Sequence, residues 1–535
     1  MHKAITKIII VGGGSAGWIT AGLIAAEHNA DNGQLSPSPK LDITLIESPD
    51  VAPIGVGEGT WPSMRSTLQK IGIDETTFLL HCDASFKQGS RFTNWQNQPH
   101  SQGHQSHSYV HPFSLPIGEP QFSIAPFWLA HQDQVCFADA VCQQNQISQL
   151  ALAPKLITTP EFNFINNYGY HLNAAKFSQL LQQHCTEKLG VKHIVDHVMD
   201  IKIADQADQN GLQAGDINHV LTKHHGEISA DLFIDCTGVK SLLLGETLGV
   251  PFICQKKVLF NDSALAVQVP YSDENSPIAS CTHSTAQTNG WIWDIGLPTR
   301  RGIGHVYSSS HTSDEQALNQ LIDYLTPALG KKAADINPRK LNIAPGHRQV
   351  CWQNNCVAIG MAAGFIEPLE ASALALVEWT AKAVATQLPP TRETMNTIAE
   401  RVNEQFQHHW QQIIEFLKLH YVTSNRTDSD YWHDHRQASS IPDALQQQLA
   451  LWRHQVPSQQ DFIYREMLFP AASYQFVLYG MQYDTQIPAQ LKPSMKHKAQ
   501  QLFTENSQRT QQLTQILPTN RALLNKLKIN GFAKI

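Results

Sequence analysis

One glycine-rich turn constrains this chain more than any other feature. Residues Ile5–Val11 (ITKIIIV) form a short, apolar, β-branched run. Gly12-Gly13-Gly14-Ser15-Ala16-Gly17 follows, and Trp18–Ala26 reads as a helix. A second apolar run, Leu41–Ile46, ends at Glu47. Strand, G-x-G-x-x-G, helix, strand and a terminal carboxylate, in that order, make a dinucleotide-binding βαβ unit. Gly12 allows the tight turn, Gly14 lets backbone approach a pyrophosphate, and Gly17 lets the helix pack against the strand. Ser15 and Ala16 open the helix whose N-terminus holds the negative charge. Glu47 is placed to take ribose hydroxyls. It lies about 35 positions past Gly12, against the usual ~20. The excess is the polar, turn-rich segment 29–40, which reads as a loop insertion. The competing reading is a glycine-rich turn that binds nothing.

The rest of the composition narrows the class. The chain has 535 residues, is 42% hydrophobic and 16% charged, and carries a net charge of −7. Those fractions fit a folded globular protein rather than a disordered one. The negative balance argues against sequence-independent nucleic-acid binding, which needs a basic footprint. No run of about 18 apolar residues is present, so no membrane partner is expected. Nine cysteines without a C-x-x-C pair argue against structural zinc and fit a reducing, cytoplasmic setting.

Along the chain, Tyr168–Leu181 reads as a turn into a helix, and Ala230–Gly238 (ADLFIDCTG) as a strand ending in a small-residue turn. The stretch Asn289–Ser310 alternates like paired strands, Cys356–Gly360 is a short buried strand, and Ser372–Leu388 is a long helix. Beyond Pro389-Pro390 the pattern turns helical, beginning with Met395–Tyr421. The expected fold class is α/β, an FAD-binding Rossmann-like body of the aromatic hydroxylase type with mixed sheets and a mainly helical C-terminal region. The expected division is a body over 1–388, with a substrate segment embedded at about 95–165, and a helical region over 389–535 that completes the substrate pocket.

Three further stretches carry a resemblance. They are Ile54–Trp61 (IGVGEGTW) with Asp83–Trp95 (DASFKQGSRFTNW), Gly290–Leu297 (GWIWDIGL), and Asn355–Leu374 (NCVAIGMAAGFIEPLEASAL). With GGGSAGW they resemble the flavin-dependent halogenases, the group that includes the tryptophan halogenases. The likeness runs to about Trp432 and weakens after it. It implies a two-component enzyme. Reduced FAD from a separate flavin reductase, oxygen and a halide ion, chloride or bromide, yield hypohalous acid. That oxidant passes through an internal tunnel to a lysine beside a small aromatic substrate.

The resemblance assigns roles residue by residue. Lys87, in SFKQG, matches the catalytic lysine, which directs the oxidant by hydrogen bonding or as a haloamine. Glu370, in EPLEASAL, matches the essential glutamate, suited to orienting the oxidant and accepting the ring proton. Ser372 and Ala373 match the positions whose backbone amides hold the halide. The Ala371-Ser372-Ala373 sequence departs from the commoner Ser-Thr-Gly and leaves halide preference open. Val56, Gly57 and Glu58 match the strap along the flavin, Val198 an adenine contact, and Met361 and Gly364 the isoalloxazine surroundings. His111 and Phe113 match the pair that sandwiches an indole. The W-x-W-x-I-P hallmark stands as Trp291-Ile292-Trp293-Asp294-Ile295-Gly296, with glycine replacing proline.

Some features resist the resemblance. No tyrosine pair matches the one that holds a substrate amino-acid group, so indole or another electron-rich arene is as good an expectation as free tryptophan. His100, His104, His107 and His111 are spaced by four, three and four, but lie in a Gln/Ser/Gly-rich loop, and no metal is expected. The rival activities are an aromatic hydroxylase, disfavoured by Met361 where such enzymes carry Asp, and an inactive FAD-binding homologue, disfavoured by the presence of both Lys87 and Glu370. The sequence leaves the oligomeric state open, a homodimer included.

Overall fold

A computed structural model describes residues 4–29, 40–51, 57–98, 106–207, 211–462, 467–486 and 492–534. Val56, His100, His104 and nearly all of the 29–40 insertion lie outside the described residues. The apolar run after Thr6 forms the strand Lys7–Val11 at the centre of a six-stranded sheet. Its parallel neighbours are Asp42–Glu47 on one side and Leu232–Asp235 on the other, with Lys192–Val195 and Cys356–Ala358 outside them. Strands this apolar must be covered on both faces. Helix Ser15–His28 covers one face and is buried continuously from Gly17 to Ala26. It is apolar all round because helices Ala174–Glu187 and Ser372–Thr386 pack on its outer side.

A second, seven-stranded sheet supports the remaining body. Its order is Arg339–Asn342, Ser263–Pro270, Arg300–Tyr307, Gly290–Gly296, Thr282–Gln287, Gly89–Thr93 and Ser108–Pro112. All its pairings are antiparallel except Thr282–Gln287 with Gly89–Thr93. The paired strands expected within Asn289–Ser310 are there. The 31-residue helix Arg392–Val422 begins the C-terminal helices, followed by Ala471–Gly480 and Pro493–Ile516. The architecture is mixed α/β, with a Rossmann-like core and a helical C-terminus.

One expectation needs correction. The segment Gly169–Asn173 is a strand, not a turn, and the helix starts only at Ala174. Tyr170 and Leu172 alternate with His171, a period of two that the short stretch hid. This strand is the middle of a three-stranded sheet, with Gly57–Gly59 on one side and Ser85–Lys87 on the other. Its register sets Gly59 opposite His171, and His171 opposite Ser85. Among the described residues no helix is long and apolar enough to cross a membrane.

Candidate active site

The glycine turn is built for a ligand at its tip and for packing at its ends. Gly12 has φ +117°, and a Cβ there would overlap the Cys236 carbonyl oxygen. A Cβ on Gly17 would overlap the Gly12 carbonyl oxygen. Gly13 is also constrained, by the Glu47 side chain, a requirement the motif did not reveal. Gly14 differs, since a Cβ there would meet nothing within 4 Å. It is the N-cap of helix Ser15–His28, with no side-chain cap and no acid in the first turn. Ser15 is bonded to Ser178, Oγ to Oγ, at 3.0 Å. Open space above uncapped amides fits a pyrophosphate, so these residues suit a dinucleotide such as FAD.

The neighbours extend that cradle. Glu47 pairs with His193 (Oε2 to Nε2 3.0 Å). Its backbone is registered opposite Val195, and half-buried Val198 begins the strand three residues later. Gly360 lies against Ala16, where a Cβ would come within 2.9 Å of the alanine Cβ. Half-buried Met361 follows it in a short 3-10 turn. Gly364 has a packing reason of its own, because a Cβ there would crowd Trp410 and the Gly346 carbonyl. Gly57 and Glu58 pair with Asn173 and Leu172, and burial pushes the Glu58 carboxyl up to about 7.

Lys87 lies in the same small sheet, on the far side of the Gly169–Asn173 strand. It is fully buried, and its Nζ has no hydrogen-bond acceptor among the described residues. A Cβ on Gly59 would come within 3.1 Å of this Nζ and 3.3 Å of the Ala371 Cβ. Gly59 therefore sits between the lysine tip and the residue preceding helix Ser372–Thr386. The Phe113 ring faces the ammonium at 5.2 Å. Burial pulls the Lys87 pKa down to about 8, with the charge of Glu370 acting in the opposite direction.

Glu370 is held from several sides. Its backbone carbonyl accepts from the Trp61 indole N–H at 2.8 Å. Its Oε1 is bonded to His111 Nδ1 and to His420 Nε2, each at 3.0 Å. Burial alone would raise this carboxyl, but the two imidazoles more than reverse it and hold it down at about 2. Ala371 then takes φ +55°, an unfavourable left-handed conformation for alanine. It caps helix Ser372–Thr386 with no side-chain bond and no acid in the first turn. The first amides, at Ser372 and Ala373, are thus left for an anion. Ser372 is buried, whereas Ala373 is exposed.

The structure brings Lys87, Phe113 and Glu370 around one buried region. The Gly12–Gly17 turn, Glu47 and Val198 belong to the six-stranded sheet and its surroundings instead. His111 has contacts the sequence did not announce, with Nδ1 on Glu370 and Nε2 on Ser473 Oγ at 2.9 Å. Trp291 and Trp293 are buried, and the Trp291 indole donates to Glu367 Oε2 at 2.7 Å. His420, Trp61, Ser473 and Glu367 escaped the sequence reading. His420 sits in LKLHYV, in a helical run whose apolar spacing reads as core. Among the described residues no group of three or more His, Cys, Asp or Glu is arranged for a metal.

Comparison with known proteins identifies the family. The sequence profile of the tryptophan halogenase family matches residues 7–500. A tryptophan 6-halogenase of Streptomyces toxytricini is 32% identical over 501 residues, covering 89% of each chain. The crystal structure of a tryptophan halogenase from Shewanella frigidimarina superposes with a TM-score of 0.95 at 65% identity, over 100% of this chain and 99% of that one. A flavin-dependent halogenase from Brevundimonas gives a TM-score of 0.82 at 27% identity, over 98% and 100% of the two chains.

Proposed function

The chain belongs to the tryptophan halogenase family of flavin-dependent enzymes, and from that premise we propose that it halogenates an indole-like or other electron-rich aromatic compound at Lys87 and Glu370. Reduced FAD, delivered by a separate flavin reductase, supplies with oxygen and halide the oxidised halogen. The chain's own residues divide the remaining work. The turn from Gly12 to Gly17, with Glu47, Val198, Gly57, Glu58, Met361 and Gly364, forms the flavin site. The amides of Ser372 and Ala373 hold chloride or bromide. Phe113 offers a ring face to a flat substrate. The Ser473–His111 bond ties helix Ala471–Gly480 to this region, so the C-terminal helices complete the substrate pocket.

One observation carries the reading. A lysine with no hydrogen-bond acceptor among the described residues is kept fully buried beside an aromatic ring and within the field of a buried carboxylate. Such an ammonium is costly to the fold and is available to direct an incoming polarised oxidant toward a ring carbon. Glu370, held ionised, then accepts the proton that the ring carbon releases.

The test is a mass-spectrometric assay with FAD, a flavin reductase, NADH, oxygen, catalase, bromide or chloride, and a panel of indole, tryptophan and phenols. A halogen isotope pattern that disappears in Lys87→Ala, while FAD still binds, is the expected result. Halogenation that survives this substitution overturns the role of Lys87. A gain of one oxygen in place of halogen overturns the reaction type.

A further inference from the structure

His420 is bracketed by two acceptors. Its Nδ1 lies 3.0 Å from the Phe416 carbonyl oxygen and its Nε2 3.0 Å from Glu370 Oε1. A carbonyl oxygen only accepts, and so does an ionised carboxylate, whereas a neutral imidazole has one N–H. Both contacts are therefore hydrogen bonds only when His420 carries two N–H groups. His111 is under no such demand, because Ser473 Oγ can donate to its Nε2 while Nδ1 donates to Glu370. We propose that His420 is a positioning residue, held as an imidazolium between Phe416 and Glu370, that fixes Glu370 as a carboxylate with Oε1 occupied. Both imidazoles address Oε1 and Oε2 receives neither. Oε2 is the oxygen that takes the ring proton, as the carbon–hydrogen electrons return to the arene. His420 keeps both of its protons throughout.

The surroundings favour this arrangement. His420 is fully buried among Phe92, Trp95, Tyr109 and Phe416. It is screened from water, and its rotamer is set by packing. The titratable groups facing the pair are Lys87, His111, Tyr109 and Glu367. Burial raises the Glu367 pKa against hydrogen bonds from Trp291, Asn261 and Tyr421.

This inference rests on the proposed halogenation only for the meaning of its kinetics, so its test begins without turnover. Ring-nitrogen NMR on protein labelled at histidine, with the His420 signal identified by its loss in His420→Gln, is expected to show two N–H groups at pH 7. A singly protonated ring at pH 7 overturns the proposal. If neither His420→Gln nor His420→Phe folds, the His420 signal is identified instead as the ring that shifts in Glu370→Gln but not in Ser473→Ala, and its count of N–H groups decides in the same way.

The kinetic arm then locates the effect. His420→Gln retains a donor without the charge. It should lower kcat by about 10- to 100-fold, the effect of one hydrogen bond to a charged group, with arene KM unchanged. His420→Phe should lose more. Free hypohalous acid, read with a diketone trap, should persist in both. Unchanged kcat in His420→Gln overturns the positioning role. Absence of halogenation in wild type would instead refute the functional reading and leave the NMR result intact.

Discussion

Lys87→Met is expected to make the protein more stable while abolishing its product. Methionine has nearly the volume of lysine and no charge. Lys87 is fully buried and lacks a hydrogen-bond acceptor among the described residues. Burial lowers its pKa from 10.5 to about 8, which corresponds to about 3 kcal/mol of destabilisation at pH 7. Spread over 535 residues at ~2.1 cal/mol/K each, about 3 kcal/mol raises the thermal midpoint by about 3 °C. The pH dependence identifies the cause. The unfolded chain keeps the lysine proton up to about 10.5, whereas the folded chain releases it near 8. Wild-type stability therefore rises with pH across that window, and the advantage of the variant shrinks toward zero by its upper end. Calorimetry or circular dichroism of ligand-free wild type and variant at pH 7, 8.5 and 10 reads the effect. A variant less stable than wild type at pH 7, or a gap indifferent to pH, refutes the idea that the fold bears an uncompensated buried ammonium.

Other substitutions probe the Gly12–Gly17 turn, the start of helix Ser372–Thr386 and a second buried acid. Gly12→Ala is expected to prevent folding through overlap with the Cys236 carbonyl. Gly14→Ala, which meets nothing within 4 Å, should fold within about 1 kcal/mol of wild type yet bind FAD more weakly by titration calorimetry. Ala371→Gly relieves a φ of +55° and should stabilise the protein by about 1 kcal/mol in denaturant titrations. Burial raises the Glu378 carboxyl to about 8, with Thr67 and Ser63 donating to it. The folded chain thus keeps this proton after the unfolded chain has lost it near 4.5, so wild-type stability falls as pH rises from 4.5 to 8. Glu378→Gln should remove that fall, being a few kcal/mol more stable at pH 8 and equal near pH 4.5.

What the sequence could reveal depended on how local the physics was. The Gly12–Gly17 turn is legible because its demands are met within one βαβ unit, and the long helices announced themselves by periodicity. Lys87 and Glu370 were singled out by the resemblance of the stretches around them, and the structure buries both in one region. The strand Gly169–Asn173 was not, because five residues carry too little alternation to outweigh the helix that follows. His420 was hidden for a different reason. Its partner lies 50 residues earlier in sequence, and a histidine in an apolar helix looks like core until the fold puts a carboxylate beside it. The meaning of His111 also shifted, since the resemblance of its segment implied stacking while Glu370 and Ser473 claim both ring nitrogens.

The three-stranded sheet through Gly169–Asn173 also restricts how a chain of this kind can change. Gly59 and Lys87 reach each other only through the register of that strand, and a slip of one residue turns every side chain to the opposite face. Insertions or deletions in 57–59, 85–87 or 169–173 therefore remove the ammonium from its place outright. Helix Ala471–Gly480 meets the same region through side chains such as Ser473, without a shared ladder. Substitutions in helix Ala471–Gly480 therefore leave the strand pairing that places Lys87 untouched.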